Sequence, residues 1–339
     1  MEILSKQFRA PEVYGDLWLN SDPISISALR GYPILLDFWD YTSLGSIRSL
    51  PYVKEWHRRY ADLGLVVIGV HTPAFPFGRD PRYIRNVVSR AHARYPIVLD
   101  NDGFAWNAFG VRIWPTKILI DKNGFISYRH EGEGSYQNIE HAIQSLLSEA
   151  GHRGDFPLVM EALRDTDWDG ALCYRPTPEI LTGYHRGTIG NIEGFNPEFV
   201  AEFIDPGFYL DGRIYLHGNW FCDRNYVKLQ EAEAGEGRLV LTYQAQEANI
   251  VVKPEGESNF QVFVKQDDAY LTNDSTGEDI RIDGEGRSFL LINEPRLYNI
   301  VRNREFGEHK LTLVSRSNGF ALYALSFATG LITEGVSSH

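Results

Sequence analysis

The stretch Pro33-Ile34-Leu35-Leu36-Asp37-Phe38-Trp39-Asp40-Tyr41-Thr42-Ser43-Leu44-Gly45-Ser46-Ile47-Arg48 decides the fold. An apolar run carrying a single Asp leads into an aromatic pair and then a turn of small residues. Beyond it Leu50, Val53 and Trp56 recur at helical spacing. The pattern predicts a buried strand, a tight loop and a helix N-terminus, with the helix running to about Tyr60.

Outward from that stretch, strands alternate with helices. Leu65 to His71 is a continuous apolar run, as expected of a strand buried on both faces of a sheet. Asp80-Pro81 predicts a helix start with proline at its first position, the helix running to about Ala93. Ile97 to Leu99 predicts a strand and Phe104 to Phe109 a short helix. Val111 to Asp121 predicts a strand with Pro115 near its start, and Asp121-Lys122-Asn123-Gly124 a hairpin turn. Phe125 to Tyr128 then returns, and Ile139 to Glu149 closes as an amphipathic helix. Ahead of the first strand, residues 8–31 read as a lead-in, with Ala10-Pro11-Glu12, Leu17 to Asn20 and Ile24 to Leu29 before Gly31. The sum is an α/β fold with a mixed sheet.

After Gly151-His152-Arg153-Gly154-Asp155 the texture changes to short alternating strands split by Gly, Asn and Asp. They are expected at Arg213–His217, Arg238–Ala245, Asn249–Lys253, Phe260–Lys265, Ser288–Ile292, Leu297–Val301, His309–Val314 and Phe320–Phe327. That spacing predicts an all-β sandwich of jelly-roll type. The expected organisation is therefore an α/β domain over 1–150, a connector over 151–178, the β-domain over 179–330 and a tail over 331–339. Two domains also suit a chain of 339 residues.

A net charge of −12 argues against nucleic acid and anionic membranes as partners. The longest apolar runs fall short of the about 18 residues of a membrane span. Met1 to Lys6 lacks the basic-then-apolar pattern of a signal peptide, so a cytoplasmic protein is expected. Two cysteines, Cys173 and Cys222, exclude a disulfide framework and a multi-cysteine metal site. They read as reduced core thiols, with a single bridge as the alternative. No phosphate-binding loop and no zinc-type His/Cys cluster is present, and no cofactor is expected.

The central stretch resembles the active-site segment of the thioredoxin superfamily, in which D-F-W closes a strand and C-x-x-C opens a helix. Across residues 1–150 the similarity is to the AhpC/TSA-type redoxin portion of DipZ-like thiol–disulfide oxidoreductases. It rests on Asp37-Phe38-Trp39, Tyr41-Thr42, Leu50-Pro51-Tyr52-Val53, Val67 to Pro73, Leu99 to Asp102, Trp114-Pro115 and Gly132-Glu133-Gly134. It continues through Thr177-Pro178-Glu179, Gly183-Tyr184, Gly218-Asn219-Trp220, Pro295 to Tyr298 and Ala321 to Ala324, which look like the carbohydrate-module-like β-domain of that family. The resemblance implies a thioredoxin fold, a short N-terminal hairpin from Ala10-Pro11-Glu12 to Gly31, a dithiol at positions 43 and 46, a buried carboxylate at Asp37 and a cis-proline at Pro115. This chain departs from it where the chemistry should be. Ser43-Leu44-Gly45-Ser46 replaces C-x-x-C, and Ala74 stands where the family's H-T-P-E-F has a carboxylate.

Thiol–disulfide exchange needs a thiolate attacker, a mixed disulfide and a resolving thiol, and serine supplies none of them. Three readings follow. In the first, which we adopt, the chain is a redox-silent thioredoxin-like protein. It binds a peptide, protein or small molecule in the groove around Ser43–Ser46 and Pro115, lined by Trp39, Tyr41, Trp114 and Thr116. In the second it is an oxidoreductase whose two cysteines were exchanged for serine. In the third it is a non-redox enzyme built on Asp37, His71 and Ser43 or Ser46, with His71 as base. Each residue also has a plainer role. Either serine can cap the helix, His71 can end its strand and pack on the turn, and Asp37 can be a fold remnant. If buried, Asp37 should have a raised pKa. In the β-domain Trp220, Tyr270 and Tyr298 are candidates for stacking on carbohydrate. Asp267-Asp268, Asp274 and Glu278-Asp279 are a candidate Ca²⁺ loop, or else a solvated turn.

Overall fold

The structure, a computed structural model, describes residues 8–230, 235–256 and 259–332. The stretch Met1 to Lys6 and residues 333–339 of the expected tail lie outside the described residues. The chain divides into two units between Ala171 and Leu172.

In the first unit β1 (Phe8–Arg9), β2 (Leu17–Leu19), β3 (Ile34–Trp39), β4 (Val66–His71), β5 (Ile97–Leu99), β6 (Thr116–Ile120) and β7 (Phe125–Glu131) form one sheet. Its order is β1-β7-β6-β3-β4-β5-β2. β3, β4 and β5 run parallel, while β6 and β7 return antiparallel. The helices are α1 (Leu44–Tyr60), α2 (Pro81–Arg90), α3 (Phe104–Ala108) and α4 (Tyr136–Glu149). Every residue of β3 is buried, which explains why it reads as an apolar run interrupted only by Asp37. Leu36 and Phe38 point into a core shared with Ile68, Val70, Ile118 and Ile120. Leu35, Asp37 and Trp39 alternate onto the other face. There Tyr52 of α1 stacks on Tyr136 of α4, with ring centroids 3.6 Å apart.

Two expectations are corrected. The N-terminal segment forms no hairpin: β1 pairs with β7 and β2 with β5, at opposite edges of the sheet. Each thus covers a strand edge that a local hairpin would leave bare. Gly15 lets the chain press onto the β5 edge, since a Cβ there would stand 2.4 Å from the Leu99 carbonyl oxygen. The strand expected from Val111 begins only at Thr116, after a cis Trp114–Pro115 peptide bond. The division after Ala171 lies within the connector expected over 151–178, and residues 158–167 are bound to α1 and α4. The Met160 N–H donates to Glu140 at 3.0 Å and the Leu163 N–H to the Tyr52 hydroxyl at 2.7 Å.

The second unit is a β-structure. Its strands are β8 (Ile180–Leu181), β9 (Val200–Phe203), β10 (Tyr215–Cys222), β11 (Val227–Leu229), β12 (Gly237–Pro254), β13 (Phe260–Gln266), β14 (Ala269–Tyr270), β15 (Ile280–Ile282), β16 (Ser288–Ile292), β17 (Arg296–Ser315) and β18 (Phe320–Ala328). Four expected strands merge pairwise into the long β12 and β17. A bulge at Ala245–Asn249 explains why β12 reads as two strands. It shifts the alternation by one residue, so Leu239, Leu241, Tyr243 and Ala245 before it and Ala248, Ile250 and Val252 after it all face one core.

Candidate functional site

α1 starts where β3 has delivered the chain to the sheet's carboxyl end. Ser43 is its N-cap, with extended backbone (φ −85°, ψ 120°), and its hydroxyl accepts from the Ser46 N–H at 3.4 Å. Ser46 is buried, and its hydroxyl accepts from the Asp40 N–H at 3.2 Å. Both hydroxyls at the family's cysteine positions are thus engaged in local backbone bonds.

Asp37 is buried but not alone. Lys117 lies directly opposite it in the β3–β6 register, equally buried, with Nζ 3.1 Å from Oδ1. That approach is an ion pair; the aligned hydrogen bond of Nζ goes to Ser49 Oγ at 2.9 Å. Ser49 Oγ in turn donates to the Ser46 carbonyl at 3.0 Å. A buried polar line therefore runs from the sheet to the first turn of α1, ending on the backbone of Ser46.

His71 is wholly buried between Trp39, edge-on at 5.2 Å, and Tyr41, stacked at 5.6 Å. Its Nε2 lies 3.1 Å from Asp40 Oδ1, and Asp40 also accepts from Thr42 Oγ1. Among the described residues neither serine hydroxyl is bonded to His71, so the base expected for a serine nucleophile is engaged elsewhere. Trp39 and Tyr41 are each 1% exposed and so cannot line an open groove. They form the walls around His71 instead.

Pro115 does face the turn. A Cβ on Gly45 would stand 3.0 Å from Pro115 Cδ, so the glycine is what allows the two loops to touch. Trp114, half-buried, packs on Trp106 at 4.5 Å, and Ile113 beside it is 45% exposed. Thr116 is buried, its hydroxyl donating to the Ile113 carbonyl at 2.8 Å. Among the described residues the backbone N–H groups of Arg112, Ile113 and Trp114 have no acceptor. The open part of the site is this short edge, with Trp114 and Ile113 as its apolar surface.

Around the turn, Arg48 pairs with Glu133, and Arg164 pairs with Asp167 at 2.9 Å. Tyr52 donates to Asp167 at 2.7 Å. Glu140, also buried, accepts from Tyr60 at 2.6 Å and from Trp56 Nε1 at 3.3 Å. Asp100 caps α3, accepting from the Ala105 and Trp106 N–H groups at 3.0 and 2.9 Å, and burial raises its pKa. Sequence reasoning missed Lys117, Asp40 and Glu140. A signal existed for Lys117: a lysine in the apolar run Thr116–Ile120 mirrors the aspartate in Ile34–Phe38.

In the second unit Trp220 and Tyr298 are fully buried core residues, which removes them as sugar platforms. Tyr270 is half-buried under the Lys265 ammonium, 4.8 Å from its ring centroid. The acidic loop is neutralised by β17. His309 and Arg296 meet Asp267 and Asp279 at 2.8 and 2.7 Å, while Arg304 meets Asp274 at 2.8 Å. No metal-binding group of His, Cys, Asp or Glu occurs among the described residues. Among the described residues Cys173 and Cys222 form no disulfide. No helix among the described residues is long and apolar enough to cross a membrane.

Residues 7–129 match the AhpC/TSA family, and residues 177–328 match a family described as a thioredoxin-like C-terminal domain. Protein DipZ of Mycobacterium bovis is 31% identical over 247 residues, covering 72% of this chain and 35% of that protein. The chain thus spans about a third of the length of that relative. The thiol-disulfide oxidoreductase ResA of Halalkalibacterium halodurans is 27% identical over 133 residues, 39% of this chain and 72% of ResA. A solution structure of a thioredoxin-like protein in the oxidized form is 27% identical, covering 42% of this chain and 97% of that one with a TM-score of 0.40.

Proposed function

We propose, for a chain that belongs to the thioredoxin-like redoxins and is related to DipZ and ResA, that it is a redox-silent member that docks extended polypeptide at its cis-proline edge. The observation that carries this is the state of the two serines. Ser43 Oγ caps α1 and Ser46 Oγ holds the Asp40 N–H, while His71 is sealed against Asp40. Among the described residues neither hydroxyl is bonded to a base, and neither can form a disulfide. The edge over Arg112–Trp114 keeps unpaired donors beside two apolar side chains, which suits addition of an extended strand. The reading in which cysteines were exchanged for serine is decided by codons 43 and 46 of the source gene.

The test has two arms. The protein should reduce insulin with dithiothreitol no faster than dithiothreitol alone, and turnover would overturn the silent reading. Reduced, carboxymethylated α-lactalbumin, an unfolded chain without thiols, should quench tryptophan fluorescence saturably. Ile113→Glu should weaken that binding about tenfold, roughly 1.4 kcal/mol. Absence of binding, or binding indifferent to that change, would refute docking at this edge.

A further inference from the structure

A second feature lies wholly within the second unit, on the outer face of the sheet where β12, β17 and β13 run side by side. The register places Arg238, Val314 and Phe263 in one row across the three strands and Val240, Thr312 and Lys265 in the next. Leu239, Leu241, Leu311, Leu313, Val262 and Val264, which alternate with them, fill the core. The first set must therefore point outward. They floor a groove of about 250 Å³, room for about eight waters at roughly 30 Å³ each.

The groove carries an excess of positive charge in a chain whose net charge is −12. Its rim cations have carboxylates of their own. Lys310 meets Asp268 at 2.5 Å, Arg287 meets Asp283 at 2.8 Å and Arg316 meets Glu236 at 3.6 Å. Asp205, on the same groove, accepts from the Tyr209 hydroxyl at 2.8 Å and the Gly207 N–H at 2.9 Å, and it also interacts electrostatically with Arg238 without forming a direct ion pair. The two cations rising from the floor differ. Among the described residues Arg238 and Lys265 have no ion pair, and Lys265 makes only its contact over the Tyr270 ring. Two strand spacings across and two residues along put their Cα atoms about 12 Å apart.

We propose that this groove binds a small organic oxyanion bearing at least two negative groups, one held by Arg238 and the other by Lys265. A guanidinium presents a planar fork that matches a carboxylate or phosphate bidentately, and an ammonium adds a point charge. Half-buried on an apolar floor of Val240 and Val314, both charges act at lower effective dielectric than on open surface. Carboxylate and phosphate share the chemistry read here, and two probes separate them.

The experiment is calorimetric titration of the full chain at low ionic strength, with citrate in one arm and inorganic pyrophosphate in the other. One or both should bind saturably with 1:1 stoichiometry, and the stronger probe names the class. Arg238→Gln and Lys265→Gln should each weaken binding about tenfold or more. Arg304→Gln, which removes an exposed cation paired with Asp274 outside the groove, should leave it unchanged. Circular dichroism of the variants checks that they fold. No saturation by either probe below about 10 mM, or equal weakening by all three substitutions, would overturn the proposal, the latter reducing the effect to net charge.

Discussion

Two polar regions of this molecule handle charge in opposite ways. Beneath the Ser43–Ser46 turn, Asp37 and Lys117 are buried to 1% and 0% exposure and joined to each other, with Ser49 and the Ser46 carbonyl completing the line. On the outer sheet face of the second unit, Arg238 and Lys265 stand half-buried with no carboxylate of their own among the described residues. The first arrangement pairs its two charges with each other, although Asp37 Oδ1 takes no hydrogen bond. The second leaves two cations without a direct ion pair among the described residues, which is what a ligand can use. Polar residues at an expected active site are thus no guide to function until their partners are counted.

The largest effect should come from breaking the buried pair. Lys117→Met leaves Asp37 charged and unpaired in the sheet and should cost about 3–5 kcal/mol in urea unfolding. Adding Asp37→Leu should recover most of that loss, since removing both charges also removes their desolvation. Arg238→Gln, by contrast, should stay within about 0.5 kcal/mol of the parent. If Lys117→Met is equally mild, the pair is solvated and the contrast between the regions fails.

A smaller effect tests the plain role of Ser43. Ser43→Ala removes one cap bond, and at 3.4 Å that bond is long, so the loss should be about 0.5–1 kcal/mol. Ser43→Asp should restore it, because a carboxylate caps as well and favours the helix N-terminus. Stability lost in Ser43→Ala but not regained in Ser43→Asp would mean that the hydroxyl serves something other than the cap.

Much of this was legible in sequence because period and burial agree. The β3 run, its one Asp and the helical spacing of Leu50, Val53 and Trp56 located strand, turn and helix together. What escaped depends on registers that no local pattern carries. Lys117 matters because β6 returns antiparallel and sets it opposite Asp37. The burial of Trp39 and Tyr41 follows from His71 arriving between them on β4. Arg238 and Lys265 sit 27 residues apart and face one groove only because β17 runs between their strands. The bulge of β12 hid as a strand break, since Gln246-Glu247 reads as a turn when the shift in alternation is unseen.

His57 lies between the two regimes and gives the finest test. It is half-buried on α1, its ring edge-on to Tyr95 at 5.9 Å and its Nδ1 without a partner among the described residues. Burial lowers its pKa from the usual 6.5, with Asp62 opposing. The neutral imidazole is therefore the form that the folded state favours. Between the depressed folded value and 6.5 the unfolded chain binds more protons, so stability is fully present above 6.5 and is lost as pH falls through that window. His130 is lowered in the same way, chiefly by burial. The midpoint of unfolding should accordingly fall between pH 7.5 and 5.5, and His57→Gln should flatten that slope without abolishing it. An unchanged slope would mean that the imidazole titrates as in water, so that half-burial without a charged partner goes unpunished. In that case the unpaired state of Arg238 and Lys265 would lose its force as a sign of a waiting ligand.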